Sequence, residues 1–226
     1  MEPHPDCPFC PRLVKFRNSL RTSEPEWHNA PVPSFGASDA ELLVVGLAPG
    51  LRGANRTGRP FTGDFAGELL YETLIDFGFA TGSYEASSGD SLRLVSCVIT
   101  NAVRCVPPQN KPAPAEINSC RAFLAATVSA LRQLKVIVAL GKIAHESVFR
   151  AFELKPAVFG FAHGAEHVLS ASGTPPPYRD LGKENITIID SYHCSRYNTN
   201  TRVLTRDMFR SVFAKVRDRI EVRQGP

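Results

Sequence analysis

The sequence predicts an α/β fold, a three-layer αβα sandwich around a central, mostly parallel four-stranded sheet, and three observations carry that expectation. Four short apolar runs, Leu42 to Val45, Leu92 to Thr100, Val136 to Leu140 and Ile186 to Ile189, have the length and character of strands buried on both faces. Segments with helical spacing of apolar residues separate them, the alternation that builds a parallel sheet covered on both sides. Parallel strands bring their carboxyl ends to one edge, so the loops that begin at Gly46, Asn101, Gly141 and Ser191 converge on a single rim, and three of the four are rich in Asn, His, Arg, Ser, Thr or Asp.

Taken in order, the first 40 residues read as an arm. Cys7-Pro8-Phe9-Cys10 is a metal knuckle leading into an irregular arm packed on the sheet, made of a short basic segment from Arg12 to Arg21 and a proline-rich stretch with Trp27, Pro31 and Pro33. After the first strand comes the loop Gly46 to Asp64. Asp64 suits the N-cap of a helix that runs to Phe77 and stops at Gly78. The second strand leads into the loop Asn101 to Pro112 and a helix from Pro114 to Leu134, with proline in its first turn. Gly141-Lys142 opens a helix to Phe152. A short antiparallel insertion is expected from Val158, Phe159 and Phe161 to His167, Val168 and Leu169, turning at His163-Gly164, with a further turn at Thr174-Pro175-Pro176-Pro177. The fourth strand gives way to the loop Asp190 to Thr201, and a closing helix spans Thr205 to Ile220. No internal repeat interrupts this order, and all 226 residues are expected to form one domain.

Composition sets broad bounds. The apolar content of 43% is that of an ordinary globular chain, and a formal charge of +4 is compatible with a polyanionic partner. No apolar run approaches the roughly 20 residues that span a bilayer, and Met1 to Asp6 lacks the basic and apolar regions of a signal peptide. The expectation is a cytoplasmic monomer with no membrane partner. Six cysteines in a reducing compartment argue for metal or catalytic use of some of them. Cys7 and Cys10 have the gap that places two thiolates on one ion, and Cys105 and Cys120 flank a loop and a helix start. Four thiolates suit tetrahedral zinc or a four-iron cluster, and spacing leaves both open. Cys97 lies in an apolar strand and reads as core, whereas Cys194 sits at the rim.

The first long loop holds glycines for close approach, Arg52, Arg56 and Arg59, the aromatic Phe61 and the carboxylate Asp64, and looks built to hold a polar, anionic ligand. Gly46-Leu47-Ala48-Pro49-Gly50, Asn55 to Asp64, Thr100 to Pro108 and His193-Cys194-Ser195-Arg196 resemble the motifs of the iron-sulfur uracil-DNA glycosylases, and more narrowly their type-5 branch. The resemblance runs from Cys7 to the last helix. It implies a uracil-DNA glycosylase-like sheet, a 4Fe-4S cluster on Cys7, Cys10, Cys105 and Cys120, and excision of deaminated bases from DNA. The expected substrate is uracil, with hypoxanthine and xanthine as further candidates, and no residue is placed for lyase chemistry.

The residues suit that chemistry when taken one by one. An enzyme acting on an extruded base needs an aromatic platform, an edge reader and phosphate contacts. Phe61 is the platform candidate, with core packing as its alternative; Asn101 can present donor and acceptor together to a uracil edge, or cap a turn. His193 can donate to the uracil oxygen that gains charge as the glycosidic bond breaks. Asp64 either caps its helix or supports the cationic sugar and the attacking water. Gly46, Leu47 and Ala48 line the base site. Related branches have a polar or acidic residue where this chain has Leu47, which shifts the catalytic burden to Asp64; many relatives have proline where this chain has Cys194. Arg52, Arg56, Arg59, Ser195 and Arg196 are the DNA-contacting candidates, together with Arg104 and Lys111. The rival expectation is a non-catalytic iron-sulfur or zinc protein that binds damaged or single-stranded DNA on the same rim.

Overall fold

A computed structural model describes residues 1–170 and 185–220. The expected turn at Thr174 to Pro177 lies outside the described residues. In chain order the elements are α1 (Pro11–Ser23), β1 (Phe35–Gly36), β2 (Leu42–Gly46), α2 (Ala54–Thr57), α3 (Phe65–Asp76), β3 (Ala80–Thr81), β4 (Arg93–Leu94), β5 (Cys97–Asn101), α4 (Pro114–Ala130), β6 (Val136–Leu140), α5 (Lys142–Ala151), β7 (Glu166–Ser170), β8 (Asn185–Ser191), α6 (Arg196–Asn200) and α7 (Arg206–Arg217). Among the described residues the sheet has six strands rather than the expected four, in the order β1-β5-β2-β6-β8-β7. Its four central strands are the expected parallel ones, and short antiparallel strands, β1 and β7, close the two edges.

Alternation along the strands builds the three layers. Leu42 and Val44 of β2 face one side with Val136, Val138 and Ile189, where α3 and α7 cover them through Leu70, Leu74, Phe209 and Phe213. Leu43 and Val45 face the other side with Ile137 and Ile188, beneath Leu124 and Val128 of α4 and Val148 and Phe149 of α5. Both faces of the parallel strands are dry, which is why each reads as a continuous apolar run.

Three expectations need correction. The basic segment after Cys10 is not irregular: it folds as α1, which buries Leu13, Arg17 and Leu20 along one stripe. The run Leu92 to Thr100 is not one strand. Ser96 has φ 49°, and the bend there sends Arg93–Leu94 to pair with β3 while Cys97–Asn101 joins the main sheet. The insertion after α5 supplies one strand rather than two, because Phe159 stacks on Phe149 at 4.1 Å between ring centroids instead of entering a ladder. Among the described residues no helix is long and apolar enough to cross a membrane.

Candidate active site

Strands β2 and β5 run parallel in a register that sets Gly46 beside Asn101, and β6 and β8 place Leu140 beside Ser191, so the loops that follow rise from one edge. There Leu47, Ala48, Phe61, Asp64, Asn101 and His193 line a cavity of about 380 Å³. Six of the sequence-predicted residues thus share one hollow, and Ser195 and Arg196 stand on its wall. Gly46 lies beneath it: a Cβ there would come within 2.5 Å of the Phe61 ring and also strike the Asn101 side chain. Its missing side chain seats the aromatic and the amide together.

Asp64 uses its two oxygens differently. Oδ1 accepts the backbone N–H of Gly67 at 3.2 Å and caps α3. Oδ2 faces the glycines of the preceding loop, and a Cβ on Gly53 would lie 2.5 Å from it. Burial pushes the carboxyl above the ordinary carboxylate range, against the lowering by the Gly67 and Ala66 amides. A carboxylate so placed is a stronger base than one in water.

Phe61 is held at φ 55°, an unfavourable backbone for an aromatic residue, and is 6% exposed. Its ring lies nearly parallel to His193, with centroids 6.0 Å apart and an interplanar angle of 25°. Surrounding protein pushes the His193 imidazole down to about 4, because burial penalises its charged form. Above that pH the ring is neutral, a donor through one nitrogen. Its loop is braced from several sides. The Asn198 amide donates to the His193 carbonyl at 2.8 Å, and Ser195 caps α6 by accepting from the Asn198 N–H. The Cys194 thiol is fully buried and points its sulfur at the Ala66 carbonyl, 3.5 Å away. That contact joins the His193 loop to the first turn of the helix that Asp64 caps, a link that proline could not make.

Several expected DNA contacts stand elsewhere. Arg52 and Arg56 are exposed beside the loop, and Arg196 is exposed with its guanidinium over the Phe65 ring at 5.2 Å. Arg59, in contrast, is 5% exposed and grips the Asp90 carboxylate bidentately, both bonds 2.7 Å, while its Nε donates to Thr62. It is a structural ion pair and not a phosphate ligand. Arg104 is corrected in the same way: it is 1% exposed and bonded to Glu2 and Thr127. His163 lies off the cavity, with Nδ1 accepting from the Tyr192 N–H and Nε2 donating to the Met208 carbonyl, and it braces the base of the His193 loop.

The cavity also uses residues the sequence reasoning passed over. Pro49, Gly50, Ala54, Phe65, Ala66 and Asn110 complete its wall. Phe65 and Ala66 follow Asp64 directly and were detectable by adjacency. Asn110 was not, since it arrives through the proline-rich loop with φ 56°. On the flank, Cys7, Cys10, Cys105 and Cys120 gather around one small hollow with Leu13, Arg17 and Phe123, and Cys97 is buried in the sheet as expected.

The profile of the uracil DNA glycosylase superfamily matches residues 33–217. The chain is similar to a type-5 uracil-DNA glycosylase of Thermus thermophilus, 42% identical over 217 residues that cover 93% of this chain and 92% of that one. It is similar also to type-5 uracil-DNA glycosylases of Pyrobaculum aerophilum, 34% identical over 93% of this chain and 87% of that protein, and of Mycobacterium tuberculosis, 34% identical over 93% and 77%. Family profile, relatives and site geometry agree: the chain belongs to the uracil DNA glycosylase superfamily and, within it, to the type-5 uracil-DNA glycosylases.

Proposed function

We propose that this chain excises uracil from DNA by hydrolysing the N-glycosidic bond, acting as a cytoplasmic monomer of one domain. The observation that carries the reading is the convergence of Phe61, Asp64, Asn101 and His193 on one cavity. The extruded base stacks on Phe61 and the Asn101 amide pairs with its edge. As the bond between base and C1′ breaks, its electron pair moves onto the uracil ring. The N–H of neutral His193 stabilises the oxygen that gains charge. Asp64 stabilises the cationic sugar and orients the water whose oxygen bonds to C1′ as the carboxylate takes up its proton, which passes on to the departing uracil anion. A role in DNA binding alone leaves the half-capped, glycine-flanked carboxylate unexplained.

The test is strand cleavage at abasic product after incubation with uracil-containing duplex. Wild type is expected to form abasic sites, and Asp64→Asn to lose about 10²- to 10⁴-fold in rate with DNA affinity retained. Absence of product from the intact wild-type chain overturns the proposal. The same assay on duplexes with hypoxanthine or xanthine defines the breadth of substrates.

Cys7, Cys10, Cys105 and Cys120 are the proposed ligands of a 4Fe-4S cluster. The resemblance of the motifs favours a cluster over zinc, and one observation is consistent with it. The Nε of Arg17 is buried without a partner among the described residues, while the same guanidinium points Nη1 at Cys105 Sγ from 3.7 Å, so a bound cluster would offer it acceptors. When bound, the cluster would tie the arm to the loop after β5 and to α4. Metal analysis of chain purified without air is expected to give about four iron atoms per chain with brown colour; one zinc and no colour would overturn the assignment.

A further inference from the structure

A second group of potential ligands lies on the far side of β8 from the cysteines. Asp190, near the carboxyl end of β8, is wholly buried, and among the described residues no lysine or arginine pairs with it. Its partners are two histidines from two further elements. His145 of α5 sets Nδ1 at 2.8 Å from Oδ1, and His167 of β7 sets Nε2 at 3.1 Å from Oδ2. One nitrogen from each ring and a carboxylate oxygen all fall within 4.8 Å of one another, and no other three His, Cys, Asp or Glu groups of the described residues do so.

The other nitrogen of His145, Nε2, lies 3.0 Å from the Phe159 carbonyl. A carbonyl only accepts, so Nε2 carries hydrogen. Nδ1 and the Asp190 carboxylate oxygen then face each other 2.8 Å apart, a pair that shares either a proton or a metal ion. A histidine that donates one ring N–H to a backbone carbonyl and aims the other nitrogen at a shared point is arranged as a metal ligand is arranged. His167 converges on the same carboxylate from a different strand. The three aromatic neighbours of His145, Phe149, Phe161 and His167, hold its ring in place. His145 borders a groove of about 880 Å³ along α5, and the His167 side chain is 12% exposed, while Asp190 is wholly buried.

We infer that His145, His167 and Asp190 form a binding site for a divalent transition-metal ion of the zinc class, with two imidazoles, one carboxylate and a solvent molecule as ligands. The ion would join α5, β7 and β8, and Asp190 lies one residue before Ser191, the last strand residue ahead of the His193 loop. Neither the cysteine hollow nor the base cavity contributes a ligand, so the site stands apart from the glycosylase proposal and survives its failure.

Cobalt is the probe. The full chain, purified and titrated with Co²⁺ without air, is expected to bind one ion with visible absorption of nitrogen and oxygen ligation and none of the intense near-ultraviolet bands of thiolate ligation. His167→Ala is expected to weaken that binding by about 100-fold or more and to abolish the rise in Tm that the metal gives wild type. If the variant fails to fold, proton NMR of cobalt-loaded wild type decides alone, with strongly shifted resonances expected from two imidazole rings. No saturable binding, equal binding by His167→Ala, thiolate bands, or absence of two shifted imidazoles would each overturn the proposal. In that event a proton holds the place between Nδ1 and Asp190.

Discussion

At Asp64 a single side chain closes the helix start and turns its second oxygen to the glycine loop, so in the proposed reaction its titration would govern the rate. Because burial raises its carboxyl, the rate with uracil duplex is expected to fall on the acid side at a pH above the ordinary 3.8, as the carboxylate takes up a proton. His193 adds nothing near neutrality. Its ring stays neutral down to about 4, so no inflection is expected at the ordinary histidine value of 6.5. Single-turnover rates from about pH 5 to 8 check both statements, and an inflection near 6.5 would show a solvated His193. The arginines separate by partner rather than by sequence. Arg59→Ala leaves the Asp90 carboxylate buried and unpaired, with an expected loss of about 3–5 kcal/mol in denaturant unfolding. Arg196→Ala is expected to leave stability unchanged and to reduce the slope of log affinity for DNA against log salt by about 0.9, the signature of one lost phosphate contact. Both arginines sit beside motif residues, so sequence context gave each the same role. Asp90 lies 31 positions from Arg59, and only folding brings the two together.

Among the elements, the strand ends and the N-terminus of α3 were legible because their signals are local: an apolar run, then a capping Asp, then helical spacing. The turn between β2 and α3 was legible as a ligand loop but not as a mould for Asp64. Gly53→Ala tests that role. The new methyl would come within 2.5 Å of Oδ2, so the carboxylate must shift, and a fall in kcat of about 10- to 100-fold is expected with Tm and DNA affinity nearly unchanged. Unchanged kcat would show that the loop yields instead. α1 escaped notice because its buried stripe, Leu13, Arg17 and Leu20, is interrupted by a cation, and an arginine in a core stripe makes sense only beside the cysteines it faces. The break in the strand before Cys97 had no local marker either, since Ser96 adopts positive φ to serve the separate pairing of Arg93–Leu94 with β3.

Across the whole molecule, the arm and the sheet are joined at the cysteine hollow. Phe9 stacks over Phe123 of α4, Arg12 pairs with Glu116, and Arg104 reaches back to Glu2. Removing the proposed cluster with a chelator under oxidising conditions is expected to lower Tm and to expose α1 to rapid amide exchange while β2, β5, β6 and β8 stay protected. Uniform loss of protection would mean that the arm and sheet unfold as one unit. The amino-acid sequence by itself determined the parallel core and the edge from which the loops rise, and the resemblance of its motifs nominated the residues around the cavity and the group of four cysteines. Those features rest on periodicity and on motifs that are contiguous in the chain, and local spacing encodes both. The tertiary structure alone decided which arginines reach solvent, how the two oxygens of Asp64 divide their work, and that His145, His167 and Asp190 meet. Each of these depends on a partner tens of residues away, and the burial that sets its charge and hydrogen bonding exists only after the layers have packed.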